Sequence, residues 1–139
     1  MTAKHAVESQ PLIAVRDVRA SSKWYTNLLG AESLPDHEHR DVYDRVYNSG
    51  RRILQLHAWD EENHPNLVNR ESAPLAHGVL LWFQVDDFDA AVSRARALRA
   101  EVIEEPRVNA APQNREMWLR DRDGYVVVIA SPDGEAAGR

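Results

Sequence analysis

Two hydrophobic periods take turns along this chain, and they do so in the same order twice. Gln10 to Val18 alternates, with Leu12, Ala14 and Arg16 pointing one way and Ile13 and Val15 the other, the period-two pattern of a strand. Pro11 confines that strand to an edge or to starting beside it, because proline has no N–H to pair. From Ala20 to Leu29 the period becomes helical, with Trp24, Tyr25, Leu28 and Leu29 as one apolar stripe. Ser21 or Ser22 can cap this helix and Gly30 can end it. Glu32–His37, Val42–Asn48 and Arg52–Trp59 read as three strands, the last two joined by a Ser49-Gly50 turn. Asp60–Ala76 is polar with two prolines and reads as a linker or a loop over a site.

The pattern then returns. Gly78–Val85 reads as a buried strand and Asp87–Arg99 as an amphipathic helix, with Phe88, Ala91, Val92, Ala95 and Leu98 on one face. Asp86 or Asp87 stands at its N-terminus, where a carboxylate accepts free N–H groups and meets the helix dipole favourably. Glu101–Val108 is a strand and Ala110–Asn114 a loop. The stretch Arg115–Ser131 closes the chain as a hairpin. Met117, Trp118 and Leu119 are strand formers, Asp121-Arg122-Asp123-Gly124 is turn chemistry, and Tyr125–Ile129 has the composition of a strand buried on both faces. Val15-Arg16-Asp17-Val18 matches Val85-Asp86-Asp87-Phe88, and Leu28-Leu29-Gly30 matches Leu98-Arg99-Ala100, at an offset of about seventy residues. The order is β-α-β-β-β twice. This predicts one domain, residues 1–139, built from similar modules at 9–59 and 77–132 with the loop 60–76 between them, preceded by a loose polar tail at Met1–Glu8.

Composition narrows the possibilities. The chain has 139 residues, 43% hydrophobic and 28% charged, enough for one domain with its own core. A net charge of −5 argues against nucleic-acid binding, which needs a basic face. Arg94, Arg96 and Arg99 spread around the second helix and read as solvated positions. The chain has no cysteine, which excludes a disulfide framework, a thiol nucleophile and a thiolate metal site. No stretch is apolar and long enough to span a membrane, so the expected location is cytoplasmic. Arginine far outnumbers lysine, as in GC-rich bacterial genomes. No Ser-His-Asp arrangement, glycine-rich phosphate loop or nucleotide fingerprint is present.

Three motifs carry a family resemblance. Val15-Arg16-Asp17-Val18 with Ser21, Trp24, Tyr25 and Leu29-Gly30 is the first. Val85-Asp86-Asp87-Phe88-Asp89-Ala90-Ala91 is the second. The third is the Asp121–Gly124 hairpin, with Arg122 where a proline is usual. Together they resemble the glyoxalase / bleomycin-resistance / extradiol-dioxygenase (vicinal oxygen chelate) superfamily. The resemblance implies an α+β fold in which two βαβββ modules in tandem form a cup-shaped mixed β-sheet. It also implies homodimers with cavities near or across the subunit interface. Enzymes of this superfamily hold a divalent metal in the cup, one ligand from each of four strands, and the metal receives two substrate oxygens.

Carried onto this chain, those ligand positions fall at Gln10, seven residues before Asp17, at Gln55, at Leu80, six before Asp86, and at Val128, four after Gly124. A one-residue slip would put Leu54 in place of Gln55. Glutamine at the first position occurs in some glyoxalases, but leucine and valine have no lone pair to donate, and two neutral amides are poor ligands. The expectation is therefore no metal and no cofactor. His57, on the face of Gln55, is the histidine best placed for an unusual site. His5 lies in the tail, His37, His39 and His64 read as loop or edge residues, and His77 falls on the opposite face from Leu80.

Without a metal, the resemblance implies a cup that binds and sequesters a small organic molecule. Strand alternation puts Trp82 and Gln84 with Leu80, Leu12 with Gln10, and Trp118 with Glu116. The expected ligand-binding set is Gln10, Leu12, Gln55, His57, Leu80, Trp82, Glu116, Trp118 and Val128, with aromatic walls suited to a planar, partly polar ligand. Core packing is the competing role for Trp82 and Trp118, and meeting solvent is the competing role for Glu116. The alternative function is a metal-dependent lyase, isomerase or dioxygenase with non-standard ligands including His57. Metal-independent proton transfer by His57 beside Gln55 or Glu116, and a protein–protein module, complete the range, and no catalytic residue is assigned.

Overall fold

An aspartate ahead of each helix sets where it starts. Asp17 and Asp87 both have extended backbones, and their side chains accept the N–H groups of Ala20 and Ala90 at 3.0 Å. The first cap is thus Asp17 rather than Ser21 or Ser22. An acceptor already sits three residues ahead of Ala20, so the helix begins earlier and both serines are buried in its first turns. The computed structural model describes residues 9–33, 41–59 and 79–138. In chain order these form β1 (Leu12–Val15), α1 (Val18–Leu29), β2 (Tyr43–Asn48), β3 (Arg51–Ala58), β4 (Leu80–Gln84), α2 (Phe88–Ala97), β5 (Glu101–Asn109), β6 (Asn114–Arg120) and β7 (Val126–Ala130). The loop expected at 60–76, the tail, and His5, His37, His39, His64 and His77 lie outside the described residues. Of the strand expected at Glu32–His37, the described part is a single bridge between Glu32 and Tyr47.

The strands form two mixed sheets, ordered β1-β3-β2 and β4-β7-β6-β5. In each, the strand before the helix pairs in parallel with the last strand of its half, Leu12 opposite Gln55 and Leu80 opposite Val126. The remaining pairs are antiparallel. The α+β duplication read from the sequence is therefore present in the topology. The two helix ends differ by one residue from the expected match. Gly30 ends α1 in the left-handed region at φ 60°, and its counterpart after α2 is Arg99 at φ 54°, not Ala100.

One face of each sheet carries a helix. Ile13, Val15, Val46, Leu54 and Leu56 pack with Tyr25 and Leu28 of α1, and Leu81, Met117, Leu119, Val127 and Ile129 with Phe88, Ala91 and Ala95 of α2, in one continuous core. Each fully buried valine, leucine, isoleucine, phenylalanine or methionine among them contributes about 1.5–3 kcal/mol. The helices meet where half-buried Arg94 donates from Nε to the Leu28 carbonyl at 2.7 Å, so Arg94 is an interhelical tie rather than a solvated position. A second tie joins α1 to the β6–β7 turn. Asp121 accepts the backbone N–H groups of Asp123 and Tyr125 at 2.8 Å each, which shapes the turn, and its other oxygen accepts the buried Tyr25 hydroxyl at 2.6 Å. Burial, then the Asp121 charge, raise the Tyr25 hydroxyl pKa well above its ordinary value.

Candidate functional site

The helix-free faces of the two sheets carry the residues singled out in the sequence. On β4 the expectation of a buried strand fails. Leu81 is buried, but Leu80 and Trp82 are each 47% exposed, because among the described residues β4 is the edge of its sheet and no helix lies over one of its faces.

Register sets that face out in three cross-strand rows. Leu80, Val126 and Arg120 form the first row, Trp82, Val128 and Trp118 the second, and Gln84, Ala130 and Glu116 the third. Val128 is buried between two indole-bearing positions, so the middle row is apolar from β4 to β6 and ends on β5 at Glu104, the partner of Trp118. Glu116 does not meet solvent. It is 1% exposed, and its oxygens accept Asn109 Nδ2 at 2.9 Å and Trp118 Nε1 at 3.1 Å, with Arg107 Nη2 at 3.9 Å. Two neutral donors and one partly exposed arginine thus converge on this carboxyl group and fix a polar end on this face.

The face of the first sheet is built differently. Leu12 pairs with Gln55 and Ala14 with His57 across the parallel ladder, and Arg45 and Tyr43 face the same two residues from β2. Gln55 is fully engaged: its Oε1 accepts the Tyr43 hydroxyl at 2.6 Å, and its Nε2 donates to the Gln10 carbonyl at 2.9 Å. His57 is buried, 6.1 Å from the Tyr43 ring, with Nδ1 at 2.6 Å from the Ala58 carbonyl. Tyr43, Arg45, Tyr47 and Asn109 were not among the residues picked from the sequence. The alternation Tyr43-Asp44-Arg45-Val46-Tyr47, polar on one face and buried on the other, was the available signal for the first three.

The expected ligand set thus falls into two groups. Gln10, Leu12, Gln55 and His57 belong to the first sheet, and Leu80, Trp82, Glu116, Trp118 and Val128 to the second. A cleft of about 960 Å³ runs along the open edge of β4, lined by Leu80, Trp82 and Gln84 on one side and Pro11 and Ile53 on the other. Gln55, His57, Glu116 and Trp118 are not among its lining residues. The residues at the four family metal positions do not fit a transition ion. Leu80 and Val128 have no donor atom, and the Gln55 amide is committed at both ends. Among the described residues no three His, Asp or Glu side chains cluster as a metal site.

Fold and helix-free faces together define a duplicated βαβββ protein with an open sheet face in each half. Residues 3–129 match the model of the Glyoxalase/Bleomycin resistance protein/Dioxygenase superfamily, and the chain belongs to that superfamily. Glyoxalase I of Saccharomyces cerevisiae is 25% identical over 134 residues, covering 85% of this chain. This chain spans 41% of that protein's length. Among solved structures, a glyoxalase/bleomycin resistance protein/dioxygenase family enzyme from Burkholderia phytofirmans PsJN is similar with a TM-score of 0.71 at 20% identity, covering 88% of this chain and 96% of that one. The fosfomycin resistance protein FosX from Listeria monocytogenes is similar at TM-score 0.65 and 14% identity, covering 96% and 98%. At these identities the structural likeness speaks for the fold. Among the described residues no helix is long and apolar enough to cross a membrane.

Proposed function

We propose that this chain is a metal-free, homodimeric small-molecule-binding protein that holds a planar organic ligand on the helix-free faces of its sheets. The observation that carries the reading is the middle row of the second sheet. Trp82 and Trp118 flank Val128, and two of the family's metal positions are held by Leu80 and Val128 in and beside that row. Indole faces beside a flat apolar floor favour stacking, and the buried Glu116 one row away supplies a polar end for orientation. A second copy is the means of closing the cup, since β1 and β4 are sheet edges and Leu12, Val79, Leu80 and Trp82 are exposed apolar groups near them.

The test is elemental analysis of dialysed protein after incubation with Zn, Ni, Mn and Fe(II). No retained ion is expected, and a following thermal-shift screen of planar organic compounds should find stabilising ligands, since whatever binds only the folded state raises its stability. About one tightly held ion per chain, lost together with activity in His57→Ala, would overturn the reading in favour of a metal-dependent enzyme.

A further inference from the structure

The first sheet's open face has an unexplained feature in its arginines. Most described arginines whose guanidinium leaves water have an evident partner: Arg94 has the Leu28 carbonyl, and Arg115 has Asp89 and Glu135. Arg45 and Arg52 do not follow that rule. Both are half-buried, and the Nε of each is out of contact with water and without a hydrogen-bond acceptor. A buried donor left unmade is costly and rare in native proteins, and for a cation the cost is larger.

Local structure holds both groups on that face. Tyr43, Arg45 and Tyr47 alternate along β2, and the Arg45 guanidinium carbon lies 6.0 Å from the Tyr43 ring centre and 5.8 Å from the Tyr47 ring centre. Two ring faces at that range hold a cation in place without neutralising it. An irregularity in the β2–β3 ladder skips Ile53, so Tyr47 pairs with Arg52 directly after Val46 pairs with Leu54. A bulge of this kind re-aims the side chains beyond it. Arg52 then reaches Gln10 Oε1 from Nη1 at 3.4 Å, while the Gln10 carbonyl holds Gln55. The neighbouring carboxylate, Asp44, is 1% exposed on the opposite, helix-covered side of β2, and its Oδ1 accepts the Arg45 backbone N–H. Among the described residues no ion pair reaches Arg45 or Arg52, and their cross-strand partners are the neutral Gln55 and Tyr47.

We propose that Arg45 and Arg52 receive an oxyanion carried by the ligand, so that the class of molecule bound is a planar organic acid. This rests on the small-molecule reading above and narrows it. A guanidinium offers parallel N–H groups in a fork that matches a carboxylate or a phosphoryl group; with each Nε sealed off, the Nη groups at the outer end are the donors such a group would meet, as Arg52 Nη1 already meets the exposed Gln10 amide. On the first sheet itself, the Tyr43 and Tyr47 rings beside Arg45 supply aromatic surface next to the charge.

The test compares benzoate, phenyl phosphate, benzamide and benzamidine, four planar probes that differ in charge, by titration calorimetry and thermal shift on the full chain. Benzoate or phenyl phosphate should bind roughly tenfold or more tighter than benzamide, in line with hydrogen bonds to a charged partner. Which of the two binds tighter identifies the acid as carboxylic or phosphoryl. The Nε–Hε NMR signals of Arg45 and Arg52 should shift on saturation, and Arg45→Gln should collapse the benzoate-to-benzamide ratio toward one. Arg45→Lys keeps the charge without the fork and should give an intermediate ratio. Arg122→Gln, on the exposed turn, is the control. Benzamide or benzamidine binding as tightly as the acids would overturn the proposal while leaving the small-molecule reading in place. No binding by any probe would overturn both.

Discussion

The hydroxyl of Tyr25 tests how the two halves of the chain are held together. It crosses from α1 in the first half to the β6–β7 turn in the second, 96 residues away, and donates to Asp121 at 2.6 Å. Tyr25→Phe removes that donor and nothing else. The ring keeps its edge contact with Trp24, at 4.9 Å between centres, and its tilted contact with Phe83 at 6.3 Å, so no cavity forms. The ring is fully buried, so water has no ready route to replace the hydroxyl at Asp121. Removing a hydrogen bond to a buried charged group costs about 1.5–3 kcal/mol. At about 3–5 °C for each kcal/mol in a chain of this size, the melting temperature should fall by roughly 5–15 °C. Urea denaturation followed by circular dichroism gives the free energy directly. Asp121→Asn supplies the matching half of a double-mutant cycle: an amide there still accepts the turn N–H groups, and Tyr25→Phe should cost at most half as much in that background. A loss below about 0.5 kcal/mol, or the same loss in both backgrounds, would show that this contact does not couple the halves.

Two further outcomes follow from the same region and from the helix ends. Burial, the largest effect, raises the Asp121 carboxyl pKa above its ordinary value against the hydrogen bonds from Tyr25 and the turn amides. The folded chain therefore holds this proton more tightly than the unfolded one, and the residue's contribution is lost as pH rises from the unfolded toward the folded value. The stability of Asp121→Asn relative to the parent should rise as pH increases from the ordinary carboxylate range upward, and a flat or falling difference in urea titrations would refute it. The left-handed residues after the helices should respond with opposite signs. Gly30→Ala should destabilise by about 1–2 kcal/mol from backbone strain, and its new Cβ would stand 3.3 Å from the Arg94 guanidinium carbon. Arg99→Gly should stabilise by about 0.5 kcal/mol after the entropy cost of glycine. Shifts of the same sign in thermal unfolding would disprove the comparison.

Much of this architecture was legible because period and punctuation are local. Ile13 and Val15, the stripe Tyr25–Leu28, and Phe88–Ala91–Ala95 follow directly from spacing, and all are buried. Gly30 and the Asp121–Gly124 turn are readable from single residue types, and Gly124 does take positive φ, at 95°. Burial on the second face of a strand is not local. Trp82 and Val128 both read as apolar strand residues, yet one is half exposed and the other buried, because β4 is an edge and β7 lies between two neighbours. Glu116 escaped for the same reason. Its carboxylate is buried by Asn109 and Trp118, and the Asn109 contact depends on the β5–β6 register.

Arg45 and Arg52 show a different limit on strand alternation. Counting by twos along β3 puts Arg52 with Leu54 and Leu56, on the buried side, where a guanidinium would be a grave fault. The irregularity at Ile53 resets that count and brings Arg52 opposite Tyr47, whose ring stands beside Arg45. A bulge that spoils a ladder has to be offset by what it re-aims, and here it carries a cation toward a face that already holds another cation. Bringing like charges toward one face is unfavourable for the empty protein and favourable only once an anion arrives, the pattern expected of residues kept for a ligand rather than for the fold.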